Sequence, residues 1–208
     1  MPESVSGCPG ATSALPANEI QYMASYFITH PEVIVDPSIP IESWSLSPAG
    51  LDRARLIPRL CWDDGVTNIV SSTEQKAIEA ADILAAAVGR PVSRVAALGE
   101  NNRSSTGYLP LKEFEAVADE FFAHPHVSVR GWETAADAQQ RIVAAVQSLT
   151  TNPLRQTAIV AHGAVGALLY SHLIQQPISR KFDQPGQGSW FAFDPETWTA
   201  LHGWRRIL

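Results

Sequence analysis

Four side chains able to do chemistry stand at or just beyond the downstream ends of short runs in this sequence. His30 closes Ala24-Ser25-Tyr26-Phe27-Ile28-Thr29, and Lys76 lies five residues beyond Asn68-Ile69-Val70-Ser71. Glu100 follows Leu98-Gly99, and His162 closes Thr157-Ala158-Ile159-Val160-Ala161. An imidazole can attack as a nucleophile or move a proton near neutral pH. A carboxyl group whose pKa is raised can act as a general acid. A lysine in the first turn of a helix is disfavoured by the macrodipole, a cost small enough to be offset by a bound anion. Each residue also has an ordinary alternative: a histidine capping backbone, a solvated lysine, a glutamate bonding loop N–H groups.

The runs that carry these residues alternate with helical patterns. Ser47-Pro48 predicts a helix start, with proline at the first helical position and Pro58 limiting its length. Ser72-Thr73-Glu74-Gln75 has capping-box spacing ahead of Ala77, Ala80, Ala81, Leu84 and Val88, and Gly89 ends that helix. Ser93 to Leu98 reads as a further strand. Leu111 to Phe122 and Ala138 to Leu149, the latter capped by Thr134, read as helices, as does the stripe Val165, Leu168, Leu169, His172 and Leu173. On that stripe His172 is expected to be buried. Ser189–Asp194 and Trp198–Trp204 predict a terminal hairpin turning at Asp194-Pro195. Such alternation implies a three-layer α/β/α sandwich around a mostly parallel sheet. Ligands of such sheets bind beyond the carboxyl ends of the strands, where the four residues fall.

The chain has 208 residues and a formal charge of −6. The length suits one domain over residues 21–208, behind a Ser-, Pro- and Ala-rich flexible extension over residues 1–20. The acidic balance argues against nucleic-acid and membrane partners, while a local cationic pocket for a small anion remains compatible with it. Cys8 and Cys61 form neither a disulfide framework nor a zinc motif. Without a secretory signal or an apolar run long enough to span a bilayer, the expected location is cytoplasmic. His124-Pro125-His126 lacks a further ligand at metal spacing and reads as a loop, and no glycine-rich phosphate loop is present. No metal and no cofactor is expected. An exposed hairpin or edge strand could pair two copies as a homodimer.

In order, His30, Leu46-Ser47-Pro48-Ala49-Gly50, Ser71-Ser72-Thr73-Glu74-Gln75-Lys76-Ala77, Leu98-Gly99-Glu100 and Ala161-His162-Gly163 resemble the histidine phosphatase superfamily, the phosphoglycerate-mutase-like proteins. The resemblance runs from about Tyr22 to the C-terminus. In that family the first strand ends in Arg-His-Gly, a Leu-Ser-x-x-Gly motif follows, and a Ser-Ser-x-x-x-Arg-Ala helix start comes next. A Glu or Asp follows the next strand, and His-Gly closes a later one. Arg130-Gly131-Trp132-Glu133-Thr134 and Arg141 resemble the Gly-Glu-Ser stretch and helix arginine that precede that last strand, with Glu133 a second candidate carboxylate.

The resemblance implies a metal-independent phosphatase acting on a small phosphorylated substrate, with His30, Glu100 and His162 catalytic. His30 would form a phosphohistidine, and Glu100 would protonate the leaving oxygen. Three departures bear on this. Thr29 replaces the signature arginine, Pro31 replaces its glycine, and Lys76 replaces the second arginine. Lysine keeps the charge without the planar fork that grips two oxygens, threonine offers only a hydroxyl, and proline has no N–H. Lys76, Thr29 and Arg103, the last three residues beyond Glu100, are therefore the expected phosphate-binding set. Two alternatives stand beside this: a catalytically degenerate domain that binds a phosphorylated ligand or protein, and a mutase moving phosphoryl between hydroxyls. The short segment between Glu100 and Arg130 favours phosphatase over mutase.

Overall fold

A computed structural model describes residues 24–60, 65–152 and 155–208. The expected extension over residues 1–20, and both cysteines, lie outside the described residues. The strands are β1 (Ser25–Thr29), β2 (Asn68–Ser71), β3 (Val92–Arg94), β4 (Thr157–Ala161), β5 (Ser189–Asp194), β6 (Thr199–Ala200) and β7 (Arg205–Arg206). The helices are α1 (Pro48–Ala54), α2 (Gln75–Val88), α3 (Leu111–Ala123), α4 (Ala135–Leu149) and α5 (Gly163–Leu173). The sheet order is β3-β2-β4-β1-β5-β6, with β7 on β5. β3, β2, β4 and β1 run parallel, and the C-terminal hairpin and β7 add an antiparallel side.

Strand residues alternate between two cores, as the pleat requires. Tyr26, Ile28, Ile69, Ala158 and Val160 face Ala77, Ala80 and Leu84 of α2. Phe27, Val70, Ile159 and Phe191 face Phe121 of α3, Ile142 of α4 and Leu168 of α5. With β4 between β1 and β2, the chain leaving β4 has the exits of β1 and β2 on either side. Parallel direction puts all three exits on one edge, so residues far apart in sequence meet there.

Ser47 caps α1 as expected, its Oγ accepting from the Gly50 N–H at 3.0 Å. Thr134 likewise caps α4. Three local expectations are corrected. The predicted strand over residues 93–98 is only β3, followed by a 3-10 turn at Ala96–Leu98. Its neighbour β2 ends at Ser71, whose carbonyl takes the last ladder bond from the Val95 N–H, so nothing remains for the chain to pair with. The helix expected to be capped by Ser72 begins only at Gln75, because the Ser72 hydroxyl accepts from the Glu74 N–H and meets His162. His172 is exposed rather than buried, its ring packed edge-on at 6.4 Å from Trp198.

Candidate functional site

β1 delivers His30 and β4 delivers His162, one strand apart. Their ring centroids lie 5.3 Å apart, with the planes at 65°. The His30 Nδ1–H donates to the Pro31 carbonyl at 2.8 Å, which leaves the Nε2 lone pair available. Here the proline matters through its carbonyl oxygen, which it shares with every other residue type. Burial pushes the His30 pKa down to about 4, with Lys76 contributing, so the ring is neutral at pH 7.

His162 is fully buried, and burial holds its pKa well below the usual histidine value. Its Nε2 lies 2.9 Å from the Ser72 hydroxyl and 3.3 Å from a Glu74 oxygen, while its Nδ1 is buried without a hydrogen-bond partner.

Glu74 was expected only as part of a helix cap. It occupies the turn between β2 and α2, with its carboxylate on the Lys76 ammonium and on the Glu100 N–H at 2.8 Å. Burial alone would raise its pKa, but His162, Lys76 and these hydrogen bonds outweigh that and bring it to about 2. The sequence signal was an acid two residues before the cation at a helix start. A capping role explained that signal equally well.

Lys76 is 3% exposed, so the solvated alternative does not apply. Besides Glu74 it donates to the Ile41 carbonyl at 2.9 Å. Glu100 reaches across to the first turn of α5, accepting from the Ala164 and Val165 N–H groups at 3.2 and 3.1 Å. Burial, together with the nearby Glu74 charge, raises its pKa above the carboxylate value despite the Arg103 cation and these bonds. Glu133 is taken up by Arg141 at 2.8 and 2.9 Å and by the Asn102 N–H.

Lys76, Glu100, Arg103 and His30 line one cavity of about 250 Å³, together with Gln184 and Trp44. The Arg103 guanidinium carbon stands 4.9 Å from the centre of the Phe114 ring. An adjoining groove is lined by Val33, Tyr108, Leu111 and Phe114.

Thr29, expected at the anion, is not in the cavity wall. Its hydroxyl is fully buried, donating to Gln184 Oε1 at 2.5 Å and accepting from the Ser189 N–H at 3.0 Å. Strand pairing of β1 with β5 draws it beneath the site, where it fixes Gln184. That amide is a second residue not expected from the sequence, since nothing local marks it. Among the described residues no group of three His, Cys, Asp or Glu side chains is placed to hold a metal ion.

The profile of the histidine phosphatase superfamily (branch 1) matches residues 42–203. The chain belongs to that superfamily. The match begins downstream of β1, so the departures at Thr29 and Pro31 lie outside it. No curated protein sequence matches the chain. Among solved structures, mycobacterial glucosyl-3-phosphoglycerate phosphatase is similar with a TM-score of 0.69 at 21% identity, over 88% of this chain and 96% of that one. YhfR of Bacillus stearothermophilus gives 0.70 at 22% identity, over 86% and 94%. The α-ribazole phosphatase of Shigella flexneri gives 0.68 at 20% identity, over 88% and 95%. At these identities the likeness establishes the histidine-phosphatase fold. No described helix is long and apolar enough to cross a membrane.

Proposed function

We propose that this histidine phosphatase-family chain hydrolyses a small phosphorylated compound through a phosphohistidine on His30. The observation that carries the proposal is the tautomer of His30: Nδ1–H is held by the Pro31 carbonyl, and Nε2 keeps its lone pair beside a second imidazole. Nε2 attacks phosphorus, and the bond from phosphorus to the ester oxygen breaks. Glu100, whose raised pKa suits a general acid, gives its proton to that oxygen as the alcohol leaves. Water then attacks phosphorus and the phosphorus–nitrogen bond breaks, its electron pair returning to Nε2; Glu100 takes back the water proton, and phosphate is released with His30 neutral again. Arg103 and Lys76 face the developing charge from the cavity wall, and Gln184 adds an uncharged amide to the same wall.

A second reading, binding of a phosphorylated ligand without turnover, is favoured by one observation. The Lys76 charge is already met by Glu74. Incubation with a labelled aryl phosphate separates the two. An acid-labile, base-stable adduct and phosphate release, both lost in His30→Ala, support hydrolysis. Binding with neither adduct nor release supports the second reading.

A further inference from the structure

Three groups that could each hold negative charge in this cavity are already committed within the protein. The Lys76 ammonium lies on the Glu74 carboxylate and the Ile41 carbonyl. The first-turn N–H groups of Ala164 and Val165 in α5 are taken by the Glu100 carboxylate. Arg180, also in the wall, is paired with Glu115 and Asp119. Among the described residues lining the cavity, Arg103 is the cation that forms no ion pair.

The uncharged donors point the same way. Gln184, anchored by Thr29, brings an amide to the wall and no charge. Glu74 also fixes the second imidazole. With the carboxylate and the Ser72 hydroxyl at His162 Nε2, the proton is assigned to Nε2 and the lone pair to Nδ1. That Nδ1 is fully buried without a hydrogen-bond partner.

We infer that Glu74 is a specificity-determining residue that sets this pocket to take the phosphoryl group as a singly charged anion rather than a dianion. The inference rests on the reading of the cavity as a phosphoryl site. Its substrate class is a phosphoester bound with one net charge: a monoester carrying one proton, or a diester. A dianion would bring two charges against one unpaired guanidinium, with the Lys76 ammonium already held by the Glu74 carboxylate.

Two non-hydrolysable probes of nearly the same shape test this by calorimetry at pH 8.5: phenylphosphinate, with one charge, and phenylphosphonate, with two. The wild-type protein is expected to bind phenylphosphinate at least as tightly. Glu74→Gln keeps the shape, frees Lys76, and is expected to shift the ratio at least tenfold toward phenylphosphonate. The nitrogen chemical shifts of His162 in the wild-type protein, read independently of any variant, are expected to report the Nε2–H tautomer. A wild-type preference of tenfold or more for phenylphosphonate overturns the inference and leaves the phosphoryl-site reading intact. So does an unchanged ratio in folded Glu74→Gln. Binding of neither probe overturns the phosphoryl-site reading and the inference with it.

Discussion

Arg141 and Glu133 meet through two hydrogen bonds of 2.9 and 2.8 Å, and the same guanidinium holds the chain that carries Glu100. It donates to the carbonyls of Ala97, Gly99 and Glu100 at 2.8, 2.9 and 3.2 Å. A planar, five-donor group can satisfy a carboxylate and three carbonyls at once, and lysine cannot. Arg141→Met strips partners from a partly buried carboxylate and from three carbonyls. It is expected to lower stability by roughly 2–4 kcal/mol, within the range for breaking buried polar networks. Urea unfolding measures the loss, and Arg141→Lys is expected to recover less than half of it.

The pH dependence of kcat/KM follows from two opposed shifts. In the proposed mechanism His30 must be unprotonated to attack, and burial brings its pKa to about 4, so activity is expected to persist well below the ordinary histidine value of 6.5. In the same mechanism Glu100 must be protonated, and its pKa is raised, so activity is expected to decline as pH rises through that value. Glu100→Gln is expected to remove the alkaline limb and lower the rate by roughly 10²–10⁴. An acid limb centred at 6.5 in the wild-type profile would contradict the assignment of His30.

Stability should fall on mild acidification. Between pH 6.5 and about 4 an unfolded His30 takes up a proton that the folded residue refuses, so the unfolded state binds more protons and gains relative stability. The shift corresponds to roughly 3 kcal/mol over that window. His162 acts in the same direction. Glu74, lowered to about 2 from 4.5, extends the loss as pH falls through that lower range, whereas the raised Glu100 works against it. Urea midpoints at pH 7.5, 6 and 5 should decrease in that order, and a flat series would be evidence against buried neutral histidines.

Two glycines separate positioning from folding. A Cβ at Gly163 would stand 2.4 Å from Gln184 Nε2, the far end of a flexible side chain. Gly163→Ala should therefore displace that amide and, on the proposed phosphoryl-site reading, weaken phosphate binding several-fold while the melting temperature changes little. A Cβ at Gly50 would stand 2.0 Å from the Glu32 carbonyl oxygen, which is fixed backbone bonded to the Ser47 N–H. Gly50→Ala should lower stability by about 1–3 kcal/mol, as overpacking does. Thermal unfolding and phosphate titration of both variants check the contrast.

Much of this protein was legible in its sequence. The apolar runs 25–29, 68–71 and 157–161 became strands because alternate side chains find a core on each face. Ser47 and Thr134 became caps because short-range hydrogen bonds depend on neighbours alone. Order along the chain was enough to name His30, Lys76, Glu100 and His162 and to suggest the family. Tertiary structure decided what surrounds them. Ser72 leaves its capping place for a histidine 90 residues away, Thr29 is drawn under β5 to hold Gln184, and Glu74 turns inward onto Lys76 and His162. These contacts depend on which strands lie side by side and on the cost of burying charge without a partner. Local sequence sets neither, so the order of the candidate residues could be read along the chain while the contacts and charge around them could not.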